Sequence, residues 1–249
     1  MKSENFFSIY DALLESIRSS APLLSTLSGE YWAMVETKDS AGVAMATPGE
    51  SVPPLFSAGL SGLPLREAAS AVKSWNFQEA SFGLAAVNAF YNTAAHMENL
   101  GCQESPQRYY TDGLDLRGKT VGFVGHMHGP RELGEQAKKV YIIEKEPQPG
   151  DYPDSACDYI LPLCDIVIIT GSSLVNKTLP HLLELCPGAT TILTGPSVPM
   201  CPALLDFGID RLAGLVFSDI SGIRSHVANS VPGSPYRYGT PFLLERQMA

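Results

Sequence analysis

The sequence predicts an α/β protein whose C-terminal half carries a mostly parallel sheet. Three observations predict it. Short apolar, β-prone runs recur from Lys119 onward: Val121-Gly122-Phe123-Val124, Tyr141-Ile142-Ile143, Ile166-Val167-Ile168-Ile169 and Thr191-Ile192-Leu193. Such continuous runs suit strands buried on both faces of a parallel sheet. Segments with helical character separate them, and strand–helix alternation argues for parallel pairing. The runs end in small, turn-forming residues: Gly125-His126-Met127-His128-Gly129, Thr170-Gly171-Ser172-Ser173 and Gly195-Pro196-Ser197.

Taken in order, Phe6, Ile9, Tyr10, Leu13, Leu14 and Ile17 recur at helical spacing and predict an amphipathic helix from about Glu4 to Ser19. Residues 30–36 and 42–47 are β-like on either side of Asp39-Ser40 and predict an antiparallel hairpin. Residues 48–62, rich in Pro, Gly and Ser, read as loop. Pro64 can open a short helix to Lys73, since proline is tolerated in a first helical turn. Phe77 to Leu100 reads as one helix closed by Gly101. Its first part, from Glu79 to Ala89, is small and apolar, so another backbone can approach it closely. Glu79 and Asn88 are the polar exceptions. Glu79 also fits an acid complementing a helix N-terminus, and Asn88 a helix–helix hydrogen bond.

The polar stretch from Cys102 to Arg117 sets the expected boundary between a domain of residues 1–110 and one of residues 111–249. Beyond it, strand, glycine turn, helix (Arg131 to Val140) and a strand ending in Glu144 form the first unit of a Rossmann-like domain. Its glycines, Gly122, Gly125 and Gly129, do not fit G-x-G-x-x-G, so tight NAD binding is not expected. A short strand is predicted at Tyr159-Ile160-Leu161, with Cys157 and Cys164 flanking its edge. Helices are predicted from Asn176 to Leu185, Leu204 to Ile209 and Asp219 to Asn229, with a last strand from Leu212 to Phe217. The tail from Ser230 reads as loop.

Composition narrows the function. Across 249 residues, 45% are hydrophobic, 17% are charged and the net charge is -9, so a large core is affordable and nucleic acid is a poor partner. No apolar run reaches the roughly 20 residues of a membrane helix. The N-terminus leads into an amphipathic helix rather than the apolar core of a signal peptide. Five cysteines, an odd number with no C-x-x-C pair, fit a reduced cytoplasmic protein. A homo-oligomer is compatible with all of this.

In open α/β sheets the ligand crevice lies outside the carboxyl ends of the strands, so the three polar turns are expected to meet on one edge. Their backbone N–H groups and the hydroxyls of Thr170, Ser172, Ser173 and Ser197 suit a polar or anionic ligand. Glu144 could take a ribose diol, and equally reads as a solvated strand-end acid. His126 and His128 form an H-x-H, the best metal-ligand pair by residue type, though isolated surface imidazoles read the same way.

The motifs Glu79 to Ala89, Val121 to Gly125, Thr170 to Thr178 and Gly195-Pro196-Ser197 together resemble the DUF364 family, in order and across nearly the whole chain. That family is named for a role in heavy-metal chelation. The resemblance implies a smaller α+β N-terminal domain like that of enolase, of the type called DUF4213. It also implies a Rossmann-like C-terminal domain and a site in the cleft between them. Glu79, Asn88, Gly125, Asn176 and Ser197 match the family motifs. Their individual roles do not carry over with the match. The candidate catalytic residues are Glu79, which beside a ligand could act as a general acid or base, and Asn176. Asn88, Gly125, His126, Glu144, Thr170, Gly171, Ser172, Ser173, Gly195 and Ser197 are the candidate ligand-binding residues. No metal site built of side chains alone is expected, and the sequence identifies no cofactor. The leading expectation is a protein that handles a small polar molecule connected with chelation. The alternatives are a metal or metal-chelate binding protein without catalysis, and a nucleotide-dependent enzyme using NAD or S-adenosylmethionine.

Overall fold

The computed structural model describes residues 7–50, 52–105, 110–127 and 131–246, with only the backbone of residues 131 and 132. Helix α1 (Ser8–Glu15) buries Ile9, Tyr10 and Leu13. Residues 4–6 of the predicted 4–19 span lie outside the described residues; at its other end the helix stops short of Ser19, and the chain runs toward Pro22, which cannot continue a helix. Strands β1 (Ser25–Ser28), β2 (Trp32–Glu36) and β3 (Ala41–Met45) form a three-stranded antiparallel sheet. The predicted hairpin is β2–β3. The polar Ser-Thr-Leu-Ser of β1 has no apolar run to announce it.

Helix α2 (Leu65–Ser70) tightens into a 3-10 turn at Ala71–Lys73 and leads to α3 (Phe77–Tyr91) and α4 (Ala94–Leu100). The single helix expected from 77 to 100 is thus two. Thr93 caps the second, its Oγ1 accepting from the His96 N–H at 3.2 Å. Gly101 closes it in the left-handed conformation at φ 62°. Helix α3 is buried along most of its length and is pressed from both sides. A Cβ on Gly83 would lie 2.0 Å from Val72 N, and one on Gly42 of β3 would lie 2.1 Å from Ala85 O. The small residues of α3 therefore do what their sizes suggest: backbones pack against backbones.

The second sheet has eight strands. They are β4 (Gln103–Glu104), β5 (Thr120–Val124), β6 (Lys139–Glu144), β7 (Tyr152–Pro153), β8 (Ile166–Thr170), β9 (Thr190–Thr194), β10 (Arg211–Phe217) and β11 (Gly239–Glu245), in the order β4-β11-β10-β9-β8-β5-β6-β7. Pairing is parallel from β10 through β7, and β11 runs antiparallel to both β10 and β4. Helices α5 (Arg131–Gln136), α6 (Cys157–Ile160), α7 (Leu179–Glu184) and α8 (Ile220–Ala228) connect the strands. The mostly parallel Rossmann-like sheet, preceded by a smaller α+β unit, is the predicted fold class. The strand order reverses direction between β5 and β8, which marks the switch point of such a sheet.

Three further sequence expectations change. Residues 159–161 are helical, not a strand: α6 continues into a 3-10 turn at Leu161–Leu163, where Pro162 has no N–H for a ladder. Leu161 and Cys164 instead fill the space beside Gly122 of β5, so Cys157 and Cys164 flank helical turns. The helix expected at 176–185 begins at Leu179. The tail is not all loop, because β11 pairs with β10 over its full length. Its Pro241 lacks an N–H but still accepts from Ser105 N at 2.8 Å.

One apolar cluster contains Ile9, Val35 and Leu84 from the first sheet's layer and Ile169, Leu193 and Val216 from the second sheet. Among the described residues, no helix is long and apolar enough to cross a membrane.

The close approach at Gly83 generates a test. Gly83→Ala should lower stability by about 2 kcal/mol or more, because the added methyl meets backbone that cannot move aside. Gly134→Ala on α5, where nothing among the described residues lies within 4 Å, should be neutral or stabilising by about 0.5–1 kcal/mol. Urea denaturation of both variants measures the contrast.

Candidate functional site

The carboxyl ends of β5, β8 and β9 are contiguous. A Cβ on Gly125 would lie 3.1 Å from the Thr170 side chain, and one on Gly171 would lie 2.9 Å from the backbone of Ser197 and Val198. Glycine at both places lets the three turns touch. Gly125, at φ 109°, and Gly195, at φ 115°, also hold left-handed conformations that other residues resist.

The N-terminal layer closes over part of this edge. The Asn92 side chain donates to Val198 O at 2.8 Å and Leu215 O at 3.3 Å, and accepts from Met200 N at 2.9 Å. Asn88 donates to Val43 O at 2.7 Å and reaches Pro196 O at 3.5 Å. Its Oδ1 is buried and has no hydrogen-bond partner among the described residues. It bridges strand and turn rather than two helices. Ser197 Oγ accepts from Met45 N at 2.9 Å, and Tyr10 Oη donates to Leu174 O at 3.0 Å. Asn88, Ser197, Gly171 and Gly195 thus lie together in the seam between layers.

The turns at the β5/β8 switch point hold the other candidates. His126 is gripped twice: its backbone N–H donates to Glu144 Oε2 at 2.7 Å, and its Nδ1 lies 2.9 Å from Asp151 Oδ2. The Asp151 side chain is only 4% exposed, and the hydrogen bond from His126 holds its carboxyl below the usual carboxylate range. A carboxylate can only accept, so Nδ1 carries the proton of this hydrogen bond. Glu144 also accepts from Lys145 N at 2.7 Å, so each of its oxygens receives a backbone N–H and the residue clamps the loop. In the turn after β8, Thr170 Oγ1 and Ser172 Oγ are 3.1 Å apart, and Ser173 Oγ turns back to Thr170 O at 2.7 Å. His128 lies outside the described residues.

Of the two candidate catalytic residues, Asn176 adjoins this cluster, its backbone N–H donating to Ser172 O at 3.3 Å. Glu79 is buried at the start of α3, and its oxygens accept from Leu55 N at 2.7 Å and Phe56 N at 2.8 Å. It ties down the 52–56 loop, helped by Asn76, which donates to Val52 O at 3.0 Å. Asn176 Oδ1 accepts from the backbone and hydroxyl of Thr178, shaping the turn before α7.

Sequence reasoning passed over three residues. Asn92 lies inside the span read as one helix from Phe77 to Leu100, and Asp151 sits in a Pro/Gly-rich loop. Lys177 lies inside a motif quoted for its neighbours. It holds a left-handed backbone at φ 66°, and its Nζ donates to Val175 O at 2.8 Å. Burial brings its ammonium down to about 7.

Comparison with known proteins places this geometry. The DUF364 family model, described as "Putative heavy-metal chelation", matches residues 112–239. The DUF4213 model, with the same description, matches residues 10–91. A crystal structure of a DUF364-family protein with unknown function from Desulfitobacterium hafniense DCB-2 is 34% identical, with a TM-score of 0.85, covering 99% of this chain and 100% of that one. Another, from Pyrococcus horikoshii, is 23% identical with a TM-score of 0.75 over 97% and 99% of the two chains, and shows the same fold. An uncharacterized Methanocaldococcus jannaschii protein is 28% identical over 163 residues, which span 63% of this chain and 61% of that relative's length.

The doubly held histidine generates a test. Long-range proton–nitrogen NMR spectra above the imidazole titration should show His126 as the Nδ1–H tautomer. Asp151→Ala should shift it toward Nε2–H, the form preferred in water. An Nε2–H tautomer in the parent protein would break the assignment.

Proposed function

The chain belongs to the DUF364 family, and from that membership and the switch-point geometry we propose that it handles a small polar or anionic molecule connected with metal chelation. The molecule is a chelator or its metal complex, and the crevice between the turns after β5 and β8 receives it. On this reading the chain divides near residue 110 into an enolase N-terminal-like unit and a Rossmann-like unit, with the ligand at the cleft they share.

The observation that carries the reading is His126 at the switch point, fixed by Glu144 through its backbone and by Asp151 through its ring. A histidine held this way presents Nε2 in a set direction. It can take a proton from a ligand hydroxyl or carboxyl, or offer one nitrogen to a metal that arrives with its chelator. Among the described residues, no three His, Cys, Asp or Glu side chains are grouped as metal ligands. The chelator would therefore supply most of the donors around such a metal. The Thr170 and Ser172 hydroxyls would orient its oxygens. Asn88, with a buried Oδ1, and Ser197 position the wall behind them.

Isothermal titration with citrate, nitrilotriacetate and their nickel complexes tests the proposal. At least one should bind near one per chain, and the double variant Thr170→Val, Ser172→Ala should weaken it at least tenfold. Binding unchanged in that variant, or no binding by any of the four, refutes the crevice. One bare nickel ion per chain, lost in His126→Ala, favours the metal-binding alternative.

A further inference from the structure

The chain that follows α8 forms a strap against the small sheet. Residues 229–238 run from the end of α8 to the start of β11. Ser230 Oγ accepts from Glu30 N at 2.9 Å, and Gly233 O accepts from Trp32 Nε1 at 3.2 Å. A Cβ on Gly29 would lie 2.2 Å from Val227 O, so the small sheet and α8 meet backbone to backbone. Trp32 is in register with Met45, whose N–H donates to Ser197 Oγ. The strap therefore bears on the strand pair that meets the turn after β9.

His226 is buried between α8 and this strap. It is 3% exposed, and both of its ring nitrogens are buried with no hydrogen-bond partner among the described residues. Its ring meets that of Tyr238 edge-on, with centroids 5.4 Å apart. A neutral imidazole wants one donor and one acceptor, and a protonated one wants two acceptors. A dry place that offers neither is costly for the neutral ring and far more costly for the cation. The ionisable groups on the elements packed around α8 do not relieve it. Arg237 lies on the turn at 235–238 with Tyr236 and Tyr238, and repels a second positive charge. Asp219 caps α8, accepting from Gly222 N at 2.8 Å and Ser221 Oγ at 2.9 Å. Glu36 of β2 pairs with Arg224, and the Glu30 carboxyl engages Tyr31.

We propose that His226 is an acid-sensitive latch: a proton taken up from water by its ring opens the strap at 229–238 and loosens the small sheet on that side. This goes beyond the chelator reading and does not depend on it. Opening gives the charged ring the water that the closed strap denies it. Burial first, and then Arg237, hold the closed imidazole below its ordinary range. A ring freed by opening titrates near about 6.5. The closed state's advantage is thus complete above that value and declines as the pH falls from there toward the lowered one.

Hydrogen exchange by mass spectrometry on the full chain at pH 7.5 and 5.5, corrected for the intrinsic pH dependence of exchange, reads the strap directly. Protection in residues 229–238 and 29–33 should fall at least about threefold at the lower pH, with β5 and β8 unchanged. His226→Phe and His226→Gln cannot take up the proton and should show equal protection at both pH values. Imidazole NMR of the parent protein should find His226 still mostly neutral at pH 6.5. Protection that does not change with pH in the parent overturns the proposal. So does a loss at pH 5.5 that persists in either folded variant, or a His226 ring that titrates at or above 6.5.

Discussion

The seam between the two sheets depends on one side-chain amide. Asn92, at the end of the helix that lines the small sheet, imitates a peptide group toward the chain after β9, giving hydrogens to two carbonyls and taking one from an N–H. Buried amides are costly when unpaired, about 1–3 kcal/mol each, so this arrangement tolerates little displacement. Tyr10 and Ser197 add bonds at either side of it. Because they all fall on the carboxyl edge of the parallel sheet, the small layer closes one side of that edge. The β5/β8 switch point lies next to the closed part.

Close packing serves the same end. Helix α3 can reach the seam only because Gly42 and Gly83 leave no side chain in the way. Glu79, polar and buried, spends its charge on holding the 52–56 loop. Lys177 works against stability. Its amine loses its proton at lower pH folded than unfolded, so the unfolded chain binds more protons between about 7 and the ordinary lysine range. Stability contributed by this group therefore rises with pH across that window and is lowest below it.

Much of the fold was legible because burial on both faces leaves a simple mark. The strands at Val121, Ile142, Ile168, Ile192 and Val216 carry it, and their parallel order followed from the helices between them. What stayed hidden depended on partners far away in sequence. Strand β1 is polar and exists because β2 is beside it, and β11 looks like a Pro/Gly tail until β10 offers it an edge. Tyr159 to Leu161 has strand-like residues, but Pro162 and the hollow over Gly122 make it helical. The site was legible in the same uneven way. Glycines and hydroxyls at strand ends pointed to the edge, since that placement follows from topology. The Asp151 contact with His126 joins residues 25 apart through a loop, and the cation–π contacts of Lys177 come from rings on α1 and α3. No local pattern encodes either.

The central claim is that the small layer and the strand-end turns are one mechanical unit held at Asn92. Hydrogen exchange by mass spectrometry on the parent protein and Asn92→Ala tests it most directly. Exchange should quicken together in the end of α3, in residues 196–200 and in the 170–173 turn, while β5 and β6 stay protected. Faster exchange confined to the few residues around position 92, with the turns after β8 and β9 unchanged, would contradict it.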